Sequence, residues 1–435
     1  MNISIIYFGI NEARGFYMIK GFSVKIWKIM SALTALVIAV GMLSGCEKAS
    51  SREEVTLSVW CAGEDIPMIR AMIDNFKEAY KDEAVFSITI SAEGEDTCKD
   101  TILANPEAAA DVFSFAADQL NSLYDAGVLL RITEDADKII EENGTLSSGA
   151  VMSATKDGKL YAYPATASNG YFLYYNTEYL TAEDIKSFDR ILEVAAENGK
   201  KVTMDYTSGW YIYSFFKGAG LEVTLSDDGK TNICNWNSTS GNYTGVDVAQ
   251  AMLDIANNAG FLAGGDDIFK EGAKNGSVIA GISGTWLSTD IREAFGDGYA
   301  AAKLPEYTIK GDRVQMHSFA GYKFIGVNAK TEVPKWSQRL AQWLTNEENQ
   351  LTRFRERGEG PSNVKAASAD EVKASIAISA LSEQSVYGHL QNVADTFWTP
   401  TYAFGATIAA KNMDNVELQT LLDTMVKGIT ADPES

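Results

Sequence analysis

The sequence has few of the residues from which metal sites and catalytic triads are built. Only two histidines, His317 and His389, occur in 435 residues. A His-rich metal site needs several imidazole ligands, and a Ser-His-Asp triad needs a positioned imidazole base, so both are disfavoured. The turn Asp227-Asp228-Gly229 also lacks the ligand spacing of a calcium loop. The sequence therefore predicts no metal and no cofactor.

Positive charge is scarce as well. The chain has 37 lysines and arginines against 58 aspartates and glutamates, which gives a formal net charge of -21. A chain of this charge is repelled by the phosphates of nucleic acids and by anionic membrane surfaces. The composition therefore excludes nucleic acid as a partner and fits a protein that works outside the cell or binds uncharged ligands.

Cysteine occurs four times, and one cysteine directly follows a predicted leader. Lys20, Lys25 and Lys28 precede the apolar run 29–42, and Leu-Ser-Gly-Cys46 follows. A basic segment, an apolar segment and a small-residue cleavage site are typical of a secretory signal. The last four residues resemble the lipobox of bacterial lipoproteins, in which the cysteine carries a lipid. We predict a lipoprotein signal peptide over 1–45, lipidation at Cys46 and a polar tether over 46–54. A plain signal peptide is the alternative.

The remaining cysteines are Cys61, Cys98 and Cys234. An exported protein can form disulfides. Cys61 and Cys98 each follow a predicted strand, and neighbouring parallel strands would bring them close. A bridge between them stays an open alternative, because spacing cannot prove connectivity.

The segment after the leader alternates between strand and helix patterns. Strands are predicted at 55–61, 85–92 and 111–115, and helices at 66–81 and 118–126. This rhythm is typical of an α/β fold with a parallel sheet covered by helices. Ligands of such sheets bind at the carboxyl ends of the strands. Here those ends carry Glu64, Asp65, Glu93, Phe115 and Asp118.

The stretch Asp157–Asn176 is predicted to connect two domains. A strand runs to Pro164, where the missing N–H would end a ladder, and small residues follow to Gly170. A strand-forming run then restarts at Tyr171. Such a passage suits a hinge between two sheets, although an ordinary hairpin within one domain is an equal alternative. The segment 358–362 is a second candidate crossing.

These segments, in this order, resemble the extracellular solute-binding proteins of ABC importers, of the maltose- and maltodextrin-binding type (family 1 sugar-binding lipoproteins). The resemblance spans nearly the whole mature chain and rests on an ordered set of motifs. They are the lipobox, Trp60 with a Gly-Glu-Asp loop, ADVFSFAADQL, GKLYAYP followed by YYN, SGTW, GYKFIGVNAKT and TFW. It implies a two-lobed α/β fold of the type II periplasmic-binding-protein class, with hinged lobes and a central ligand cleft. The lobes are expected at 55–165 with 310–360, and at 166–309 with 361–435.

The resemblance also implies a set of ligand-binding residues. Trp210, Trp286 and Trp398 match stacking aromatics of the family, and Phe115 stands where a tryptophan is common. Asp118 matches an acid, Gln119 replaces a common arginine, and the Glu64-Asp65 loop lacks the lysine of a common acid–lysine pair. The predicted ligand-binding residues are Trp286, Trp398, Trp210, Asp118, Glu64, Glu93, Phe115, Asn169 and Tyr402.

The chemistry of these residue types agrees with a sugar ligand. Aromatic rings cover the apolar C–H face of a pyranose, and carboxylates accept its hydroxyl protons in charge-assisted hydrogen bonds. Each residue also has a simpler interpretation. A tryptophan is commonly a packing residue, and Asp118 could cap its helix.

The expected function is that of a lipid-anchored, monomeric binding protein that lies on the extracellular face of the bacterial cytoplasmic membrane. It would capture maltose or maltooligosaccharides and deliver them to the membrane subunits of an ABC permease, without catalysis and with only its lipid in the membrane. The alternatives are a binding protein for another oligosaccharide or a small peptide, a glycoside hydrolase, which needs two suitably spaced carboxylates, and an adhesive or structural lipoprotein.

Overall fold

The computed structural model describes residues 52–147, 149–227 and 229–432. The predicted signal peptide, the lipidation site Cys46 and most of the tether lie outside the described residues. Within the described ranges, no helix is both long and apolar enough to cross a membrane.

Strands and helices alternate through most of the chain. The strands are β1 (Glu53–Cys61), β2 (Ala84–Ala92), β3 (Val112–Ala116), β4 (Thr155–Lys156), β5 (Lys159–Leu160), β6 (Tyr163–Asn176), β7 (Lys201–Met204), β8 (Val223–Leu225), β9 (Asn232–Cys234), β10 (Phe261–Ala263), β11 (Val278–Gly284), β12 (Tyr299–Ala302), β13 (Glu306–Ile309), β14 (Asp312–Gln315), β15 (Ser318–Val327) and β16 (Gly388–Leu390).

The helices surround these strands. They are α1 (Ile66–Ala79), α2 (Cys98–Ala104), α3 (Leu120–Asp125), α4 (Ala136–Asn143), α5 (Gly149–Ser153), α6 (Phe188–Glu197), α7 (Gly209–Gly218), α8 (Gly245–Asn257), α9 (Asp266–Lys274), α10 (Ser288–Phe295), α11 (Pro334–Leu344), α12 (Glu347–Arg357), α13 (Val364–Ala367), α14 (Asp370–Lys373), α15 (Ile376–Gln384), α16 (Trp398–Ala409) and α17 (Leu418–Ile429).

The main sheet runs in the order β10-β7-β11-β6-β15-β3-β1-β2, and β12 and β16 pair with β6 and β15. At one end β1 and β3 pair in parallel, which confirms the predicted parallel arrangement. At the other end β7 pairs in parallel with β10 and β11. Between them β6 and β15 are antiparallel to each other and to their neighbours β11 and β3. Two parallel α/β sections are thus joined through two long antiparallel strands.

Strand β6 continues through Pro164, so the prediction that the strand stops there is wrong. The first part of β6 pairs with β15, and the part from Tyr171 onward pairs with β11 and β12. The pairing with β15 shifts register beside Lys323, next to the position opposite Pro164. A proline is tolerated at such an irregularity because no regular N–H donor is needed there. The predicted passage between two groups of strands therefore occurs within one continuous strand.

The segment 358–362, the second candidate crossing, runs beside β6. Pro361 forms an isolated bridge with Thr166, and the Gly360 carbonyl accepts the N–H of Ala167 at 2.9 Å. The Gly360 N–H in turn donates to the Ser168 hydroxyl at 2.7 Å.

Buried apolar side chains form two large cores and one small cluster. The first core packs β1, β3, α1 and α11 together and includes Phe76, Phe113 and Trp336. The second core packs α7, α8, α16 and α17 and includes Phe216 and Trp236, whose rings stack at 4.1 Å. A small cluster around Phe172 and Phe269 lies between β6, α9 and α10.

The possible disulfide between Cys61 and Cys98 is not formed. Both thiols are free and buried, and Cys234 is free as well. Burial raises the pKa of the Cys61 thiol to about 12, with the nearby Asp65 carboxylate adding to the effect. The side chains of Cys61 and Cys98 serve as apolar packing residues of the first core.

Candidate functional site

A cavity of about 790 Å³ lies between elements of the two large cores. Its volume falls within the range of about 300–1,000 Å³ that is usual for small-molecule sites. One side is built from the turns that follow β1, β2 and β3, and the other from the starts of α7 and α16 and the turn after β11. The carboxyl ends of the strands therefore face this space, as predicted.

Most of the predicted ligand-binding residues meet at this cavity. Those that line it are Glu64, Asp118, Asn169, Trp210, Trp286, Trp398 and Tyr402. They come from positions more than 300 residues apart, so the fold collects them from both sides of the cleft.

Phe115 and Glu93 lie elsewhere, which corrects two predicted positions. Phe115 is fully buried in the first core, with its ring centroid 5.7 Å from that of Phe113. Residues 112–115 are all buried because β3 is covered on both faces, so alternation along the strand does not reveal a cavity-facing side. Glu93 turns toward the start of α2 and accepts hydrogen bonds from the hydroxyls of Thr97 and Thr101 at 2.7 and 3.1 Å.

Glu95 and Asp96, from the same loop as Glu93, both line the cavity. Lys323 on β15 lies beside Glu95, with Nζ 3.0 Å from Glu95 Oε2 and 2.6 Å from Glu359 Oε1. Burial raises the pKa of the Glu95 carboxyl, and the Lys323 ammonium acts in the opposite direction. Lys323, from a distant strand, thus supplies an ammonium group to this side of the cavity.

A second part of this ionic network fixes the Glu64-Asp65 loop. The guanidinium of Arg353 contacts Asp65 directly and lies 3.4 Å from Glu359 Oε2. Arg357 Nε donates to Asp65 Oδ1 at 2.9 Å. Burial alone would raise the pKa of Asp65, but Arg353, Lys323 and Arg357 together hold it below its usual value. The network ties α12 and the 358–362 crossing to the floor of the cavity.

Two tryptophans form a stacked wall on the opposite side. The rings of Trp210 and Trp286 stack with centroids 5.6 Å apart. The Trp286 indole N–H donates to Asp266 Oδ2 at 2.7 Å, and Asp266 Oδ1 accepts the Ser283 hydroxyl at the same distance. Asp266 opens α9 and was missed by sequence analysis; the Gly-Gly-Asp-Asp run after a short strand was the signal for it.

Trp398 and Tyr402 lie one turn apart on α16. Trp398 packs edge-on against the buried ring of Phe397, with centroids 5.0 Å apart. Tyr402 is 58 % exposed, which is unusual for so large a side chain and leaves its ring available to a ligand.

The polar rim contains the loops around Asp118. Burial raises the pKa of the Asp118 carboxyl to about 6, although its own backbone N–H and the Lys99 ammonium favour the charged form.

Gln119, which replaces the family's common arginine, is 5 % exposed, and its side chain hydrogen-bonds to backbone groups. Its Nε2 donates to the carbonyls of Glu95 and Asp96 at 2.7 and 2.9 Å, and its Oε1 accepts from Lys99 N at 3.2 Å. The Gln119 amide holds these loops together and does not replace the arginine as a ligand donor.

The two histidines lie away from the cavity. His317 Nδ1 and His389 Nε2 are 2.8 Å apart, so the imidazoles hydrogen-bond to each other. Among the residues that the structure describes, no group of three or more histidine, cysteine or acidic side chains is arranged to hold a metal ion. The cavity instead offers aromatic faces, carboxylate acceptors and ammonium donors, which suit a polyhydroxylated ligand.

The paired charges under the cavity generate a stability prediction. Arg353→Met should lower the free energy of unfolding by about 3–5 kcal/mol, because it leaves the buried Asp65 and Glu359 carboxylates without their shared partner. Arg355→Met is the matched control on the same helix, since Arg355 pairs with Glu371 at the surface. That control should change the free energy by less than about 1 kcal/mol. Urea unfolding of both variants measures the difference, and equal losses would contradict the assignment.

Comparison with known proteins gives a consistent result. The family described as bacterial extracellular solute-binding protein matches residues 71–380. The galactooligosaccharide-binding protein of Bacillus subtilis (strain 168) is 24 % identical over 409 residues, which is 90 % of this chain and 93 % of that protein. The maltodextrin-binding protein MdxE of the same strain is 25 % identical over 280 residues, or 61 % of this chain and 64 % of that one.

A solved structure shows the same architecture. The maltodextrin-binding protein MalE1 from L. casei BL23, solved without ligand, superposes with a TM-score of 0.69 at 25 % identity, and the match covers 87 % of this chain and 99 % of that one. The matching family and these relatives are binding proteins, and the family is extracellular. The family match covers well over half of the sequence, and the chain belongs to the bacterial extracellular solute-binding proteins.

Proposed function

We propose that this protein captures an oligosaccharide in its cavity and delivers it to the membrane subunits of an ABC permease. The observation that supports this most directly is the pairing of an aromatic wall with a floor of carboxylates and ammonium groups. Trp210, Trp286 and Trp398 present ring surface to the cavity, while Asp118 and Glu95 face it from the other side. A sugar binds both kinds of group at once, through its C–H face and its hydroxyls.

The cavity joins two lobes in this proposal, at 55–165 with 310–360 and at 166–309 with 361–435. The first core belongs to the lobe that starts at residue 55, and the second core belongs to the lobe that starts at residue 166. Met316 and Phe319 are exceptions, because they lie beyond residue 310 but pack in the second core. A ligand that contacts both lobes favours the closed arrangement because those contacts form together only on closure. Lipidation at Cys46 would hold the monomer at the extracellular face of the cytoplasmic membrane.

Maltooligosaccharides are the favoured ligands, because MdxE and MalE1 are named maltodextrin-binding proteins. Galactooligosaccharides are a second candidate, and the relative that is matched over 93 % of its length supports them.

Calorimetric titration of the chain from Ser50 onward tests both classes of ligand. The panel should contain maltose, maltotriose, longer maltodextrins, galactooligosaccharides, raffinose, xylobiose and a peptide mixture. Binding only to peptides, or release of reducing ends during incubation with maltodextrins, would contradict the proposal.

Loss of one aromatic platform should weaken sugar binding. Trp398→Ala should cost roughly 1–3 kcal/mol, by analogy with the loss when an aromatic side chain that stacks on a nucleobase is removed. Trp398→Phe retains a ring and should lose less. Trp286→Ala should show a similar loss, although it also removes the stacking partner of Trp210. Calorimetry measures the affinities, and unchanged values for Trp398→Ala and Trp286→Ala would contradict this placement of the ligand.

The raised pKa of Asp118 predicts a pH dependence of binding. Below about pH 6 this carboxyl is mostly protonated. Sugar hydroxyls donate best to the carboxylate, so the ligand should lower the pKa of Asp118 and binding should release a proton near pH 6. The affinity should therefore rise between pH 5 and pH 7.5, by up to about tenfold for each unit by which the ligand lowers this pKa. Asp118→Asn should flatten the profile, and an unchanged profile in that variant would exclude Asp118 as its origin.

An ion pair across the cleft should stabilise the closed state. Lys99 lies on α2, whose Cys98 and Ile102 belong to the first core. Its Nζ lies 2.6 Å from Asp395 Oδ1 in the turn before α16. Because Asp395 is largely exposed, the pair is worth about 0.2–1 kcal/mol. Lys99→Met and Asp395→Asn should each weaken sugar binding by up to about fivefold, a factor that corresponds to 1 kcal/mol.

A double-mutant cycle tests this pair, because the combined variant should lose no more affinity than either single change. High salt should also reduce the difference in sugar affinity between the unmodified chain and the single variants. Lys330→Met is a control, since it breaks the surface pair of Lys330 with Glu107 away from the cavity. Additive losses in the double variant would contradict a direct coupling across the cleft.

A further inference from the structure

Two indole rings in the cavity wall use their N–H groups differently. The rings of Trp210 and Trp286 stack with 27° between their planes. The Trp286 indole N–H donates to Asp266 Oδ2 at 2.7 Å. The Trp210 indole nitrogen is buried and has no hydrogen-bond partner among the residues that the structure describes. Asp266 therefore holds one ring of the stack by a hydrogen bond, while the other ring is held by packing against Tyr171 and Tyr211.

Asp266 is itself held in place through its second oxygen. Its Oδ1 accepts the hydroxyl of Ser283 at 2.7 Å, and Ser283 is fully buried near the end of β11. Asp266 is also the first residue of α9, where the partial positive charge of a helix N-terminus stabilises a carboxylate. The carboxylate therefore joins the start of α9, the end of β11 and the indole that follows β11.

The Trp286 ring has few other contacts that could set its orientation. It lies directly over Gly284, where a Cβ would come within 2.0 Å of the ring, so no side chain supports it from that position. Trp286 also lines the cavity. A ring that is already held in one orientation loses little side-chain freedom when a ligand binds against it, and affinity rises accordingly.

We propose that Asp266 is a positioning residue for ligand binding, which holds the Trp286 ring, through the indole N–H, in the orientation that meets the saccharide. This inference rests on the proposed function, because it assigns Asp266 a role in the same cavity. Since the N–H is bound to Asp266, Trp286 offers the saccharide its ring surface and no hydrogen-bond donor. Asp266 also lines the cavity, so direct contact of its carboxylate with a sugar hydroxyl is the competing role.

A double-mutant cycle separates the two roles. Affinity is measured by calorimetric titration with the maltooligosaccharide or galactooligosaccharide that the unmodified chain binds. Asp266→Leu removes both acceptor oxygens and should lower the affinity about two- to tenfold, the cost of ordering one side chain on binding. Trp286→Phe keeps an aromatic ring without an N–H, so adding Asp266→Leu to this variant should cause no further loss. Asp266→Asn keeps an oxygen acceptor for the indole and should retain most of the affinity.

Asp205→Leu is the matched control. Asp205 follows β7 and lines the same cavity, but its Oδ1 accepts the backbone N–H and the hydroxyl of Thr207, at 2.8 and 2.6 Å. Any loss of affinity that Asp205→Leu causes should be the same with and without Trp286→Phe. Thermal unfolding of each variant shows whether it is folded.

A spectroscopic measurement tests the same hydrogen bond without a ligand. The indole N–H signal of Trp286 in a proton–nitrogen NMR spectrum is identified by its loss in Trp286→Phe. This signal should move upfield in Asp266→Asn and further in Asp266→Leu, because the charge-assisted bond is first weakened and then removed.

The outcomes separate this inference from the proposed function. A loss from Asp266→Leu that disappears in the Trp286→Phe background, together with a shifted indole signal, supports positioning through Trp286. An equal loss in both backgrounds overturns positioning and assigns Asp266 direct contact with the ligand. Unchanged affinity in Asp266→Leu also overturns it and leaves the oligosaccharide function in place. Absence of binding to every saccharide by the unmodified chain overturns the proposed function and this role with it.

Discussion

The site depends on a group of charges that are held almost out of water. Asp65, Glu95, Lys323, Arg353 and Glu359 form one ionic network, and each comes from a different segment of the chain. Leaving any of these groups unpaired would cost several kcal/mol, so the five segments must keep their relative positions. Those segments include β15 and the 358–362 crossing, which both pass between the two cores. The network therefore fixes the floor of the cavity and the positions of the two segments that pass between the cores.

The contacts beneath the cavity and those across its mouth differ in kind. Arg353 and Glu359 are each about 3 % exposed, whereas the Asp395 partner of Lys99 is mostly in solvent. Screening by water and salt makes the second type of pair much weaker than the first. In the proposed closure of the two sides, the Lys99–Asp395 pair would therefore contribute only a small free energy. A bound sugar that touches both sides can supply the larger part of the closing free energy.

The sequence was most informative where a pattern is local and least informative where a side chain meets a distant partner. The β/α alternation predicted the first parallel section, and the strand ends indicated the cavity. Phe115 was misplaced because β3 is buried on both faces. Glu93 was misplaced because its loop carries three acids, and Glu95 and Asp96 are the two that line the cavity. Pro164 did not stop its strand because the neighbouring ladder is irregular. Lys323 could not be assigned, since its partners lie 36 and 228 positions away.

The continuity of β6 limits how this molecule can be divided. One strand supplies Tyr163 to the first core and Tyr171 to the second, without a linker between them. A break near Gly170 would leave each half with a frayed strand and an unpaired sheet edge, which promotes aggregation. The exposed turn at Lys310–Gly311, at the tip of the β13–β14 hairpin, interrupts neither core and has the positive φ angles of a surface turn. A two-fragment biosensor or a circularly permuted form of this protein would therefore be opened at that hairpin and not between the lobes.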